Sequence, residues 1–387
     1  MKNAALTVVE QACGLKAGER VLIVTNPNPE VLEISLSLQE AVLALGGESV
    51  LIVQKTKTLL DYADKAVIAA LKTKPDVFFS ISENKLGKDE EGILHPYLGE
   101  DGKSYDHIFD YNLEGEKSMR AIWTPGITKD MFKRSVCIDY DLLQKRCSLL
   151  ASKCNDAVSI TVTSSGGTDI IVPVKGRKGM LDDGNFTFPG SGGNIPAGEV
   201  FISPVVGSEG SGCQGTIVFD GSMSLNEGDI IINDPIVCQV VDGFVTSITS
   251  KSGKKVDGSD KECEAYKLLR SITDAEKAAV EREAEGKLAA GLGKEYQRNA
   301  RNIGELGIGL NPAAKVEGNM LEDEKAFHTC HFAIGQNYDN DAPSLIHLDG
   351  VVRNPTIVIH YEDGSEFVVE KEGILSPILE NPKPTTY

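Results

Sequence analysis

A histidine and an aspartate one residue apart, His347 and Asp349, stand inside the apolar run Leu345-Ile346-His347-Leu348-Asp349. Side chains alternate faces along an extended strand, so the imidazole and the carboxylate would point one way while Ile346 and Leu348 point into a core. A hard oxygen ligand and a borderline nitrogen ligand on one rigid element suit a metal ion. The stretch from Gly304 to Gly350 holds more such groups, and four of the six histidines fall between residues 328 and 360. Glu305 lies in the segment Gly304-Glu305-Leu306-Gly307-Ile308-Gly309, and Glu199 follows a turn built on Pro196 and Gly198, at the mouth of a strand. A carboxylate among Leu, Ile and Gly is costly to bury unless it is paired or metal-bound. Glycine also lets backbone and ligand approach closely. His331 and Tyr338 complete the candidates, with His328 an alternative to His331 three residues away. Plainer roles stand beside these: a turn residue for Glu199, a packing residue for Tyr338. The acidic run Glu322-Asp323-Glu324 reads as solvated or helix-capping.

The elements that must hold these residues differ along the chain. Residues 1–155 alternate strand and helix patterns, with strands expected at Arg20–Thr25, Ser49–Gln54, Asp76–Ser82 and Ala121–Thr124. Helices are expected at Val31–Leu45, Leu60–Leu71 and Asp139–Lys153. Apolar strands alternating with helices predict a mainly parallel sheet covered on both faces. No G-x-G-x-x-G and no P-loop follow a strand here, so a bound nucleotide is unsupported. His95 and His107 fall in a polar loop region and read as exposed. From residue 156 the texture becomes β-rich, with runs at 158–163, 169–174, 199–203, 215–220, 229–233 and 235–242 separated by Gly, Asp and Asn turns. Residues 259–302 are dense in Ala, Glu, Lys, Leu and Arg and predict one long helix or two shorter ones, with Ser271–Glu276 carrying helix-start character. Strands at 356–361 and 366–370 are joined by Asp363-Gly364 as a hairpin turn. The fold class expected is an N-terminal α/β domain over residues 1–155 and a β-rich, metal-binding catalytic domain over residues 156–387.

At 387 residues the chain exceeds one ordinary core, which agrees with two domains. A formal charge of −18 argues against nucleic acid, which needs a basic face. No window approaches the roughly 18 consecutive apolar residues of a membrane span. The first residues read as an amphipathic helix rather than a signal peptide. The eight cysteines show no C-x-x-C and read as buried free thiols of a reducing, cytoplasmic protein.

Four segments in order, NIPAGEVF, ELGIGLNP, LEDEK followed by T-x-H-x-A-x-G, and IHLDG, resemble the metallo-aminopeptidase family of the aminopeptidase T and aminopeptidase S group. The resemblance spans roughly residues 156–370. It implies a homodimeric hydrolase that removes N-terminal residues from small peptides or related amino-acid substrates. It further implies two divalent metals, zinc or cobalt, held by Glu199, Glu305, His331, His347 and Asp349, with Tyr338 part of the site. Glu305 would take a proton and Tyr338 would donate to a developing oxyanion. Three features depart from the peptidases: a shorter interval from His331 to His347, a longer one from Glu199 to Glu305, and Leu348 in place of an aromatic. The chain is also similar to the 2,5-dihydroxypyridine ring-cleaving dioxygenases, which share the fold and the H-x-D ending. That second resemblance implies a single Fe(II) on His331, His347 and Asp349. A non-catalytic binding relative is the third alternative.

Overall fold

Short apolar runs closed by turn residues build a parallel sheet in the first part of the chain. The structure is a computed structural model and describes residues 1–58 and 60–382. Strands β1 (Arg20–Thr25), β2 (Glu48–Val53), β3 (Val77–Ile81) and β4 (Arg120–Trp123) are all parallel to their neighbours. The pair Gly192–Gly193 adds a short parallel edge beside β4, giving the order Gly192–Gly193, β4, β3, β1, β2. Every residue of β3 is buried, as a strand covered on both faces requires. Helix α1 (Pro29–Ala44) starts where the Asn28 side chain accepts from the Glu30 amide and Pro29 presets the first turn. It ends just before Gly46, whose φ of +84° releases the chain into β2. Helix α2 (Lys65–Leu71) begins later than the sequence pattern suggests. Tyr62 is bridged to Lys88 and the Ala63 amide donates to the Lys88 carbonyl, which holds this approach extended. The Asn-Pro-Asn-Pro turn after β1 has structural work: Asn26 donates to the Gln54 carbonyl and accepts from the Glu83 amide.

The chain divides into two compact units, residues 1–144 with 182–197, and residues 145–181 with 198–387. The sequence reading has a single divide between residues 155 and 156, whereas the polypeptide here leaves the first unit, returns and leaves again. Local composition cannot reveal a returning segment of this kind.

The second unit is built on two antiparallel sheets. The eight-stranded one runs Phe244–Ser250, Ile236–Val241, Gln214–Phe219, Asp169–Pro173, Ala157–Ser164, Pro355–Tyr361, Glu366–Lys371, Ile374–Leu375. The seven-stranded one contains β5 (Glu199–Ile202), β6 (Ile303–Gly309), β7 (Thr329–Gly335) and β8 (His347–Arg353). Its order is Gly228–Ile231, Ser222–Leu225, β8, β7, β6, β5, Met180–Asp182. Residues 259–302 resolve into two helices, α3 (Glu264–Ala284) and α4 (Leu292–Asn299). Ser271 lies inside α3 and not at a helix start, because its hydroxyl is turned back to donate to the Lys267 carbonyl. The fold is thus mixed α/β, with one parallel sheet and a β-rich antiparallel unit. All eight cysteines are free thiols, and only Cys137 is exposed. No helix of the described residues is long and apolar enough to cross a membrane.

Candidate metal centre

Residues directly opposite in an antiparallel pair point to the same face. Glu199 pairs with Gly309, Glu305 with Ala333, and Gly307 with His331. Ala333 pairs in turn with Asp349, and Gly335 with His347. One face of β5–β8 therefore carries Glu199, Glu305, His331, His347 and Asp349. The positions between them on that face are Gly307, Gly309, Ala333 and Gly335. The small residues leave the volume that the functional side chains occupy. A methyl group at Gly307 would run into the His331 ring. The opposite face of the same strands carries Val200, Ile202, Leu306, Ile308, Cys330, Phe332, Ile334 and Leu348, all buried. Cys330 thus faces the core and not the cluster, and burial raises its thiol well above the ordinary value.

The five side chains meet closely. His331 Nε2 lies 3.0 Å from Glu305 Oε1 and 3.4 Å from Glu199 Oε2. His347 Nε2 lies 3.4 Å from Glu305 Oε2 and 3.3 Å from Asp349 Oδ1. His347 Nδ1 donates to the Gln336 carbonyl at 3.0 Å, which fixes the tautomer and leaves Nε2 for a ligand. Three groupings bring donor atoms within 4.8 Å of one another: Glu199, Glu305 and His331; Glu305, His347 and Asp349; and Glu324, His331 and Asp349.

Glu324 and Lys325 belong to the cluster, and the sequence reading missed both. The Lys325 ammonium is buried and sits 2.6 Å from Glu199 Oε1 and 2.6 Å from Glu324 Oε1. Of the two roles expected for the run Glu322-Asp323-Glu324, solvated or helix-capping, the first fails: Glu322 and Asp323 are buried, in the first turn of the short helix Met320–Asp323. Glu322 accepts from the Lys315 amide and Asp323 from the Glu317 and Gly318 amides, so a tight turn draws both inside. The signal available was a lysine directly after three acids, just ahead of the buried strand β7. His328 takes no part: its Nδ1 bonds the Gly373 carbonyl and its backbone φ is +65°. His360 bonds Thr161 and Glu366 on the other sheet. Tyr338 is half exposed on the loop before β8, its ring 5.3 Å from that of His347 and 5.0 Å from that of Phe201. Arg177, paired with Asp341 at 2.7 Å, helps pin that loop.

The electrostatics describe a site with surplus negative charge. Burial opposes the charged form of His331, yet Glu305, Glu199 and Asp349 push its pKa up to about 9. His347 is held protonated against burial by Asp349 and Glu305. Asp349 stays at about 2 because His347, His331 and Lys325 outweigh its own burial. Burial raises Glu199 to about 8 despite Lys325. Protons on the imidazoles and on Glu199 thus balance charge in this arrangement. Four buried polar atoms here have no hydrogen-bond partner: Glu199 Oε2, Glu305 Oε2, His331 Nδ1 and Asp349 Oδ1. Buried polar groups are normally satisfied, and three of these are carboxylate oxygens facing the cluster. A divalent cation fits this donor set.

The sequence model of the family described as NicX: 2,5-dihydroxypyridine 5,6-dioxygenase matches residues 129–260. That region includes Glu199 and stops short of Glu305, His331, His347 and Asp349. No curated protein sequence matches significantly. Among solved structures, 2,5-dihydroxypyridine dioxygenase from Pseudomonas putida KT2440 is similar with a TM-score of 0.65 at 15% identity, over 97% of this chain and 96% of that one. Wild-type AmpT from Thermus thermophilus is similar with a TM-score of 0.61 at 14% identity, over 97% of this chain and 98% of that one. At these identities the likeness is one of fold, and the chain shares along nearly its whole length a fold that also carries a dioxygenase and AmpT.

Proposed function

We propose that this chain is a metal-dependent enzyme of the mononuclear non-haem iron kind, opening a small hydroxylated aromatic or N-heteroaromatic ring with dioxygen. The observation that carries this reading is the position of Asp349, whose carboxylate groups with His347 on one side and with His331 on the other. Two imidazoles and one carboxylate are the donor set of non-haem Fe(II) oxygenases. The NicX match and the Pseudomonas fold support the same reading. Iron(II), when bound, supplies the one-electron chemistry that lets dioxygen react with an electron-rich ring. The protein's own groups do the rest. The Gln336 carbonyl orients His347. Glu305 Oε2, buried and without a hydrogen-bond partner, is placed to accept a proton from a ring hydroxyl. Tyr338 and Phe201, tilted by 59° to one another, offer two aromatic faces for the ring.

A second reading, a dinuclear aminopeptidase-like hydrolase, is favoured by one observation. The two oxygens of Glu305 address different histidines, at 3.0 Å and 3.4 Å, as a carboxylate bridging two metals would. A metal pair, when bound, supplies a water of lowered pKa and polarises a carbonyl. Glu199 with His331 would serve one ion, and His347 with Asp349 the other.

Metal content of protein purified without added metal, beside the Glu305→Gln variant, separates the two. One iron per chain that survives Glu305→Gln, with oxygen uptake on dihydroxylated pyridines or benzenes, is the expected result. Two zinc or cobalt ions, reduced in the variant, with release of N-terminal residues from peptides, would overturn it in favour of the hydrolase. Absence of stoichiometric metal after supplementation would overturn both.

A further inference from the structure

The first unit holds a cavity of about 420 Å³ that the metal centre does not use. That volume suits a small organic ligand. It lies where open parallel sheets bind ligands. Ser80 and Ser82 come from the carboxyl end of β3, and Trp123 ends β4. The adjoining crevice between β1 and β3 is the point at which the strand order reverses.

The lining has a defined chemistry. Phe109 and Trp123 meet edge to face, with centroids 5.6 Å apart and planes at 87°, and so present a corner of two aromatic surfaces. His107 is fully used by the fold: its Nδ1 accepts from the Phe109 amide and its Nε2–H donates to the Gly87 carbonyl. It is also half-buried, not exposed as the loop composition suggests. Asp110 lines the cavity half-buried, and no hydrogen bond or ion pair reaches its carboxylate among the described residues. The Ser82 hydroxyl donates to the Asn84 carbonyl, which leaves its lone pairs free to accept. Of the two lysines in the lining, Lys85 is exposed and Lys88 carries its ammonium over the Tyr62 ring at 4.7 Å. Among the described residues, the inner surface therefore offers π faces and oxygen acceptors, and its two lysines are either exposed or engaged on Tyr62.

We propose that this cavity is a binding site for a small aromatic amine, with the ring held by Phe109 and Trp123 and the ammonium by Asp110. Aromatic faces attract both rings and cations, and a half-buried carboxylate gives a charge-assisted bond to an ammonium. The site is independent of the metal-centre reading.

Trp123 is the only tryptophan in the chain, so its emission reports on this cavity alone. The unmodified protein is titrated with 2-phenylethylamine and, separately, with 3-phenylpropionate, which has a similar shape and the opposite charge. The expected result is a saturable change with the amine and at least about tenfold weaker response to the carboxylate. Asp110→Asn is expected to weaken the amine about tenfold, as loss of a charged hydrogen bond does, with circular dichroism and melting temperature unchanged. Equal response to the two probes, preference for the carboxylate, or no saturable change with the amine would overturn the proposal. Should Asp110→Asn fail to fold, the comparison of the two probes on the unmodified chain decides alone.

Discussion

Lys325 holds Glu199 and Glu324 at once, each at 2.6 Å, with its side chain only 2% exposed. Removing one partner of a buried ion pair commonly costs about 3–5 kcal/mol, because the other charge is left unpaired. Lys325→Met should therefore destabilise the metal-free protein by a few kcal/mol, and saturating divalent metal should restore part of the loss. Denaturant melts with and without metal check this, and a neutral variant would show that Glu324, the partner left without its cation, is not charged in the fold. Glu370 gives the opposite case. Both its oxygens are buried without a hydrogen-bond partner, and burial raises its pKa from 4.5 to about 8. The folded chain keeps this proton at pH values where the unfolded chain has lost it. The stability that the raised pKa confers is full below pH 4.5 and lost as pH rises through about 8. Relative to Glu370→Gln, the unmodified protein should lose on the order of a few kcal/mol across that range. A parallel pH dependence in the two would sink the assignment. At this scale the sequence made much of the centre legible. His347 and Asp349 announce themselves by alternation in an apolar run, whereas Glu324 and Lys325 look like any charged surface run until the turn before them buries it.

The strands β6 and β7 are buried at every residue, and the ligand candidates alternate on them with glycine and alanine. Gly307 lies directly across from His331, and a side chain there meets the imidazole. Gly307→Ala is expected to cut metal affinity at least tenfold by displacing His331. The apolar face opposite is untouched, so the second unit should keep its secondary structure. Metal titration followed by calorimetry, with circular dichroism as the control, tests this. Unchanged affinity would mean that His331 is not a ligand. The strands of the β-rich unit at 157–164, 214–219 and 355–361 match the sequence runs because β-branched residues crowd them. Met180–Asp182 and Ser222–Leu225 escaped notice because short strands carry too few alternations to register. Ser271 misled for a physical reason: a hydroxyl that marks a helix start can also bond backward within a helix.

The metal candidates all belong to the second unit, so chelation should lower the stability of that unit and spare the first. A ligand at a hundred times its dissociation constant stabilises by about 2.7 kcal/mol. Hydrogen exchange with and without chelator is expected to show the change at residues 303–309, 329–335 and 347–353 and not at 20–25 or 77–81. A uniform change across both units would contradict it. At this scale the α/β texture and the β-rich texture were legible, but the path of the chain between units was not. Residues 182–197 return to the first unit, and Gly192–Gly193 extend its sheet. This has a consequence for how the protein is made. A ribosome delivers the chain from its N-terminus at about 5–20 residues per second. The first unit lacks its edge strand until residues 192 and 193 have left the exit tunnel, by which time residues 145–181 of the second unit are already outside. The first domain to be synthesised must wait, during translation, for a piece of chain that follows the opening strands of the second.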